Sequence, residues 1–397
     1  MSKPARPAHF ENVYETQRIS SDPQHAKALK NEFARNGIAL IKIDGINCRN
    51  GIEGILKTGV FQQPWSDEYK IRLKSRKRLN HVLDPENTED FDEIFEIMTQ
   101  PLHSKTRKYL EERGPLHMQF GAPCDPPFWW QEERLRTIEN EGLYHAFSEV
   151  LDTKEVNVDI QRSIFRYPGQ GENAFLHWDQ SIPNIGTTKQ ICGKLCYNEQ
   201  KFVCVRGSHT PEFLQQFKEL YGPHYNIDKK CKKFGLDPTK PDPMGLWEKQ
   251  TAMIIPAGHL CIWSVDMLHG HQKSSLDNPI HYGTFIGAAP ECTYEERKRR
   301  KKLYDEGGVP DKHPSGDPVH FYPLKYKNFP KVFDSRITKR LDPKLAKTLL
   351  FKRKVKGQEK EVWDTKGWGW TEKNPYRKYK FSRLGKRMLG LKSWSSF

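Results

Sequence analysis

The sequence predicts a mainly β fold with flanking helices, in which the strands form an antiparallel sandwich or barrel, followed by a basic C-terminal extension. Three observations support this prediction. The chain opens with a helix and then a strand, short β-type segments separated by Pro and Gly follow from about Val156, and the charge balance changes after Pro290. The 397 residues are enough for one large domain with extensions.

The opening helix and strand are visible in the residue pattern. Residues 22–37 place apolar side chains at helical spacing and end in a glycine, which is a typical helix stop. Residues 38–43, with the sequence IALIKI, form a short run rich in β-branched side chains and predict a strand. We expect residues 1–24 to form an N-terminal tail.

Two further regions have a helical pattern. Residues 66–115 are rich in charge, with a basic stretch at 70–78 and an acidic stretch at 86–96, which we interpret as solvated surfaces that attract each other. Residues 210–250 interrupt the strand pattern as an insertion of helix and loop. We expect the helical region at 66–150 and the insertion at 210–250 to roof the pocket of the functional site.

The net charge of +15 is concentrated at one end of the chain. Residues 291–397 contain 29 Lys and Arg against 13 Asp and Glu, which leaves 36 basic and 37 acidic residues in 1–290. Aromatic residues are interleaved with these cations, a composition typical of nucleic-acid surfaces. We therefore expect nucleic acid or another polyanion as a partner of residues 291–397, although such segments also serve only to solubilise a protein.

No run of apolar residues is long enough to span a bilayer, and the N-terminus lacks the apolar block of a signal peptide. We expect an intracellular, soluble protein that is cytoplasmic or nuclear. The basic runs at 299–303 and 351–356 are possible nuclear signals.

The 8 cysteines are scattered along the chain, which argues against a disulfide framework. Cys192 and Cys196 have a spacing that suits half of a zinc site. Since no second pair of Cys or His follows at zinc spacing, we do not favour zinc.

One triplet, His177-Trp178-Asp179, has the spacing of a metal site. Iron(II) that activates dioxygen needs two His and one carboxylate on one face, and residues two apart in a strand point to the same side. The triplet alone is not specific, because 15 His and 50 acidic residues in 397 give about two matches by chance. The second match, His9-Phe-Glu11, stands in the N-terminal segment without a strand context.

The order of motifs around this triplet is more specific. A Gly-rich turn at 167–173 precedes it, and a G-S-H turn at 205–209, a Pro-Gly turn at 256–258 and a distal His-Gly at 269–270 follow it. In this order the sequence resembles the phytanoyl-CoA dioxygenase-like family of iron(II)- and 2-oxoglutarate-dependent oxygenases. The resemblance covers roughly residues 25–290.

The resemblance implies a double-stranded β-helix, the cupin-like jelly roll, over residues 25–290. It also implies His177, Asp179 and His269 as the iron ligands and catalytic residues of a dioxygenase that hydroxylates an unidentified substrate with 2-oxoglutarate and O2. His271 competes with His269 as the distal ligand, but the family's histidine is the one directly before glycine.

The sequence departs from the family at the residue that binds the co-substrate. The family usually supplies an arginine about eleven residues after the distal histidine, and here Ile280 and His281 occupy that region. The substitutes that we consider are His281, Lys194, Tyr282, Arg166 and Arg162.

The missing arginine keeps a second hypothesis open. In that alternative the chain is a non-catalytic jelly-roll protein with a binding or structural role, whose basic extension binds nucleic acid or another polyanion. We interpret Arg206, Ser208 and His209 of the G-S-H turn as structural and Trp178 as a packing residue. We expect Gln180 and Asn173 to order the ligands.

Overall fold

The computed structural model describes residues 5–56, 73–84, 87–100, 132–166, 176–187, 189–228, 234–270, 280–306, 309–311, 320–322, 350–355, 358–363 and 380–395. Two six-stranded sheets form the body of the molecule, with helices packed around them. This arrangement confirms the predicted mainly β, jelly-roll-like fold with flanking helices.

The first sheet contains several very short strands. In spatial order it consists of β1 (Arg6–Ala8), β9 (Thr251–Ile255), β7 (Gln200–Cys204), β11 (His269–Gly270), β5 (His177–Trp178) and β8 (Phe234–Gly235). Apart from the parallel β1–β9 pair, neighbouring strands are antiparallel.

The second sheet has longer strands and a more regular register. In spatial order it consists of β2 (Tyr14–Glu15), β3 (Ile38–Lys42), β10 (His259–Ser264), β6 (Ile191–Cys196), β12 (His281–Pro290) and β4 (Val156–Arg166). Two separate hairpins pair β13 (Val309–Asp311) with β14 (His320–Tyr322) and β15 (Leu350–Val355) with β16 (Gln358–Trp363).

The helices of the described chain lie mostly before β4 and after β12. They are α1 (Thr16–Ser21), α2 (Pro23–Asn36), α3 (Cys48–Ile55), α4 (Thr88–Thr99), α5 (Glu132–Ile138), α6 (Glu141–Leu151), α7 (Pro211–Tyr221), α8 (Leu246–Lys249), α9 (Tyr294–Glu306) and α10 (Arg383–Met388). Among the residues described, no helix combines the length and the apolar character that crossing a bilayer requires.

The predicted helix at 22–37 and the strand after it are confirmed. The Asp22 side chain accepts hydrogen bonds from the backbone N–H groups of Gln24 and His25, at 2.9 and 3.3 Å, and so caps α2. Gly37 ends the helix with a φ of 70°, a left-handed conformation that glycine adopts without a steric penalty.

The segment before residue 25, which we expected to be a tail, contributes to both sheets. Strand β1 pairs in parallel with β9, and β2 pairs in parallel with β3. Tyr14 is buried and donates its hydroxyl to Glu32 at 2.7 Å, which fixes the segment on α2. The boundaries that we drew at residues 24 and 290 stay predictions.

The core has three layers. Between the sheets lie Ile38, Leu40, Cys192, Cys196, Phe202, Cys204, Met253, Ile255, Cys261, Trp263, Val265 and Met267. Helices α2 to α6 cover the outer face of the second sheet, where Leu195, Leu260 and Ile286 are fully buried. The outer face of the first sheet is covered by residues from the 210–250 insertion.

The structure therefore corrects our expectation for the insertion. Its helix α7 and strand β8 lie on the outer face and the edge of the first sheet, where Phe217 and Phe234 pack against Trp178. The described part of the insertion supports the sheet from behind instead of roofing the interior. The reason is that the insertion has an apolar face of its own, which becomes buried when it packs on the apolar outer face of the first sheet.

The basic and acidic stretches near residues 70–96 attract each other, as expected. Arg78 forms an ion pair with the buried Asp90, and His81 contacts the same carboxylate at 2.8 Å. Lys77 reaches Glu96 at 3.4 Å. These contacts fix the loop before α4 on that helix.

Candidate metal centre

The candidate centre lies on the inner face of the first sheet, where two short strands meet. His269 of β11 pairs in register with His177 of β5 on one side and with Cys204 of β7 on the other. Because β5 and β11 are antiparallel neighbours, residues 92 positions apart in sequence face each other directly.

Three side chains converge at this point. Asp179 Oδ1 lies 3.5 Å from His177 Nε2, and Asp179 Oδ2 lies 3.4 Å from His269 Nε2. The potential ligand atoms of the three residues all lie within 4.8 Å of one another. Both histidines are almost completely buried, while about a fifth of the Asp179 side chain is exposed. The site is thus closed on the histidine side and open beside the carboxylate.

The ring of His269 is oriented by its own backbone environment. Its Nδ1 lies 3.0 Å from the carbonyl oxygen of Met267, a position in which Nδ1 carries the proton and donates. The Nε2 atom is then directed at Asp179, and a metal ion that replaces its proton can bind there. The His177 ring lies beside it, with ring centroids 4.4 Å apart.

The carboxylate of Asp179 is held in its anionic form. Burial by itself raises the pKa of Asp179, but the adjacent imidazoles of His269 and His177 outweigh it and hold the pKa well below its usual range. An anionic oxygen beside two imidazole nitrogens is a donor set that suits a divalent transition metal.

Strand alternation separates Trp178 from the two ligands that flank it in sequence, as we expected. The ring is fully buried on the outer face, at 4.9 Å from Phe217 in an edge-to-face contact. Its indole N–H donates to the carbonyl oxygen of Asp266 at 2.8 Å. Trp178 therefore anchors the ligand strand from behind.

Asp266 also connects the two halves of the centre. Its carboxylate accepts a hydrogen bond from the Gln180 side chain and one from the Gly186 backbone N–H, the latter at 3.1 Å. Gln180 directly follows Asp179, and Asp266 stands three residues before His269. Burial raises the pKa of Asp266, although these hydrogen bonds oppose the shift. Sequence reasoning missed Asp266, because nothing in its local pattern marks it.

The G-S-H turn has the structural role that we predicted. Ser208 Oγ accepts the backbone N–H of Leu268 at 2.8 Å, directly before the distal histidine. His209 contacts the carbonyl oxygen of Ala34 at 3.0 Å, and Arg206 forms an ion pair with Glu11 at 3.1 Å. The turn therefore holds the start of β11 against α2.

The inner space beside His269 is lined by two aromatic rings. Phe202 stacks on the His269 ring at 5.7 Å, and Trp263 lies 5.6 Å from it. Trp263 is only 3% exposed, and its indole N–H makes no hydrogen bond to any residue that the structure describes. An unpaired buried donor is costly, so this position fits a polar ligand next to the metal ligands.

The structure places the expected co-substrate residues at different depths. Lys194 is buried on the inner side of β6, facing Cys196 and Cys261, and its ammonium donates to the Lys201 carbonyl oxygen at 3.3 Å. His281 stands at the start of β12, in register with Arg166 of β4.

A third candidate, Tyr282, is not brought to the centre. Tyr282 is fully buried on the outer face of the second sheet, where its hydroxyl donates to the carbonyl oxygen of Met98 at 3.2 Å. Of the residues that the sequence singled out, His271 and Asn173 lie outside the described part of the chain, and so do the side chains of Arg162 and Arg166.

None of the six cysteines that the structure describes forms a disulfide. Cys192 and Cys196 are buried between the sheets. Burial raises the pKa of Cys196 to about 12, which keeps this thiol protonated. Within the described residues, the His177, Asp179 and His269 group is the one that gathers three potential ligands.

Comparisons with known proteins give structural matches at low sequence identity. No protein-family model matches the chain, and no curated protein matches it. A hypothetical protein from Escherichia coli is similar in structure, with 14% identity, 78% coverage of each chain and a TM-score of 0.44.

Two enzymes are similar at a lower level. The non-heme monooxygenase ThoJ shows 9% identity over 66% of this chain and 77% of that chain, with a TM-score of 0.33. The non-heme alpha ketoglutarate dependent epimerase SnoN from nogalamycin biosynthesis shows 9% identity over 68% and 84%, also with a TM-score of 0.33. Because all these TM-scores are low, we base the functional proposal on the site itself.

Proposed function

We propose that the chain is a non-haem iron(II)- and 2-oxoglutarate-dependent dioxygenase that hydroxylates a substrate not yet identified. The observation that supports this most directly is the convergence of two imidazole nitrogens and one anionic carboxylate within 4.8 Å. Two His and one carboxylate on one face are typical of non-haem iron(II) oxygenases, since they leave positions for dioxygen and a co-substrate.

The residues present fit such an ion. His177, Asp179 and His269 would hold it, with Met267 fixing the tautomer of the distal histidine. When bound, the metal supplies the activation of dioxygen, and the protein supplies ligand geometry and substrate orientation. The buried rings of Phe202 and Trp263 would exclude bulk water from the inner side of the site.

The strand register favours Lys194 over His281 as the cation for the distal carboxylate of the co-substrate. Trp263, which contacts the ring of His269, is in register with Cys192 of β6. Lys194 lies two residues further along the same inner face, roughly 7 Å away. Since Gly283 is in register with Cys196, His281 lies roughly 20 Å along the strand from the level of Trp263.

An anaerobic titration tests the proposal. We expect the protein with Fe(II) and 2-oxoglutarate to show a weak charge-transfer band in the visible, and we expect it to disappear in His177→Ala and Asp179→Ala. Lys194→Met should lower the affinity for 2-oxoglutarate without lowering the affinity for Fe(II). It should not lower the affinity for pyruvate, a 2-oxoacid that lacks the distal carboxylate.

Matched controls are available in the exposed residues His224 and Asp228, whose replacement by Ala should leave the band unchanged. Uptake of Zn(II) without any ternary complex with Fe(II) and 2-oxoglutarate would contradict the proposal. So would a band that survives in Asp179→Ala, because the carboxylate would then not be a ligand.

A further inference from the structure

Two basic segments that are far apart in sequence lie side by side in the structure. Helix α9 follows β12 directly, and residues 380–395 return to pack on it. Arg300 of α9 is completely buried, with its guanidinium bonded to Glu296 at 3.0 Å and to the carbonyl oxygen of Leu389 at 3.4 Å. Gly390 packs so closely that an added Cβ would lie 2.9 Å from the Arg300 side chain.

A second set of contacts fixes residues 380–395 on the body of the protein. Glu291 accepts hydrogen bonds from Arg297 at 2.7 Å and from the Trp394 backbone N–H at 3.0 Å. The Trp394 ring stacks on Tyr144 at 5.0 Å and donates its indole N–H to the Val156 carbonyl oxygen at 3.0 Å. These cations and rings therefore belong to an ordered surface.

Residues 294–301 and 380–395 carry an excess of positive charge, with 10 Lys and Arg against 2 Glu. Residues 380–395 contain no acidic residue, and two of the acids around α9, Glu291 and Glu296, are paired with Arg297 and Arg300. The exposed cations of these two segments are Lys298, Arg299, Lys301, Lys380, Arg383 and Lys386, and their exposed acid is Glu295. A concentration of one charge sign repels itself and attracts a partner of opposite sign.

We propose that this basic surface, formed by residues 294–301 and 380–395, binds the phosphate backbone of a nucleic acid. Lys298 and Lys301 on α9, and Arg383 and Lys386 on α10, lie at helical spacing and can contact successive phosphates. Tyr294, which is 69% exposed, offers a ring on which a base can stack. The proposal concerns a site other than the metal centre and does not depend on it.

The distribution of apolar residues disfavours a lipid surface as the partner. A helix that lies on a membrane inserts an exposed apolar face. Here the apolar side chains Phe381, Met388 and Leu389 are buried against the protein, and Tyr294 is the large hydrophobic residue that this surface exposes among the residues described.

Fluorescence anisotropy with the full-length chain and a labelled single-stranded RNA of about 20 nucleotides tests the proposal. We expect binding that weakens steeply between about 50 and 200 mM KCl, because phosphate contacts release counterions. The triple variant K298E/K301E/K386E should bind at least about 10-fold more weakly. The slope of its log binding constant against log KCl concentration should be smaller in magnitude by about two.

The matched control is K27E/K218E/K249E, which makes the same charge change at exposed lysines of the neutral part of the chain. Its affinity should stay close to that of the parent, and thermal unfolding checks that both variants fold. The variant K298Q/K301Q/K386Q removes the three positive charges without reversing them, so it should lose less affinity than K298E/K301E/K386E.

Three outcomes would overturn the proposal. They are an absence of RNA binding at about 50 mM KCl, where phosphate contacts are strongest, an equal loss in the control variant, and binding to phosphatidylserine vesicles without binding to RNA. Binding that persists unchanged in His177→Ala would show that this surface acts independently of the metal centre.

Discussion

The two sheets of this protein differ in regularity and in what they contribute. The second sheet has strands of 6, 10 and 11 residues at its centre and edge, and helices cover its outer face. The first sheet places the metal-ligand candidates on β5 and β11, which are 2 residues long each. Ligand positions on short strands depend on side-chain contacts more than on a ladder of hydrogen bonds, so stability and site geometry are separable here.

The largest expected effect concerns the stability that the second sheet supplies. Leu260 is completely buried under the helices, so Leu260→Ala should lower the free energy of unfolding by about 2–5 kcal/mol, as core truncations do. The folded fraction should bind metal as tightly as the parent. Denaturant unfolding and a metal titration on the same samples measure both quantities.

Leu268 gives the matched contrast in the first sheet. It is also completely buried, but it directly precedes His269 and packs on the outer face. Leu268→Ala should lower both stability and metal affinity. Equal losses of metal affinity in Leu260→Ala and Leu268→Ala would show that the second sheet supports the metal ligands as much as the first sheet does.

The next effect concerns the bridge between the two ligand strands. Asp266→Asn weakens the acceptor that holds Gln180 and Gly186, so Asp179 should lose its fixed position. Because supporting hydrogen bonds typically contribute about 10–100-fold to metal affinity, we expect a loss in that range, measured by calorimetry with Fe(II) or Mn(II).

Asp242→Asn is the control for this prediction. Asp242 accepts hydrogen bonds from Tyr221 and from the backbone N–H groups of Leu246 and Trp247 in the same outer layer, without reaching the ligands. Its replacement should lower stability and leave metal affinity unchanged. A loss of metal affinity in Asp242→Asn would mean that any destabilisation of the outer layer lowers metal affinity, and that Asp266 has no specific role in positioning Asp179.

The parts of the site that the sequence predicts are those with local signals. Alternation in a strand predicts that His177 and Asp179 point to one side with Trp178 on the other, and the family resemblance that the order of turns carries implies His269. Asp266 carries no such signal, because its partner Gln180 lies 86 residues earlier and the contact exists only after the two sheets have packed.

Register explains most of what the sequence could not decide. Lys194 and His281 both lie on strands that follow the triplet, and only the pairing of β6 with β10 and β12 shows their unequal distance from Trp263. The sequence also does not predict strand β8, for a similar reason. The strand is only two residues long, and it forms because those residues pair with β5.

A smaller effect is expected for the indole N–H of Trp263. Trp263→Phe keeps a ring beside His269 and removes only the donor, so 2-oxoglutarate affinity should fall by about 1 kcal/mol, or about 5-fold, with metal affinity unchanged. Trp247→Phe, in the layer behind the first sheet, is the control. If Trp263→Phe binds 2-oxoglutarate as well as the parent protein, its N–H does not contact the co-substrate.

The last effect is a pH dependence in the helical layer over the second sheet. The backbone N–H of Asp84 and the side chains of Arg78 and His81 lower the pKa of Asp90 to about 2. A carboxylate whose pKa is depressed on folding stabilises the protein above its unfolded pKa of about 4, and this contribution disappears as the pH falls toward 2. The difference in melting temperature between the parent and Asp90→Asn should therefore be constant from neutral pH to about 5 and shrink below 4. The exposed Glu89→Gln should show no such trend, and a parallel trend in it would mean that general acid unfolding, and not the Asp90 contacts, causes the effect.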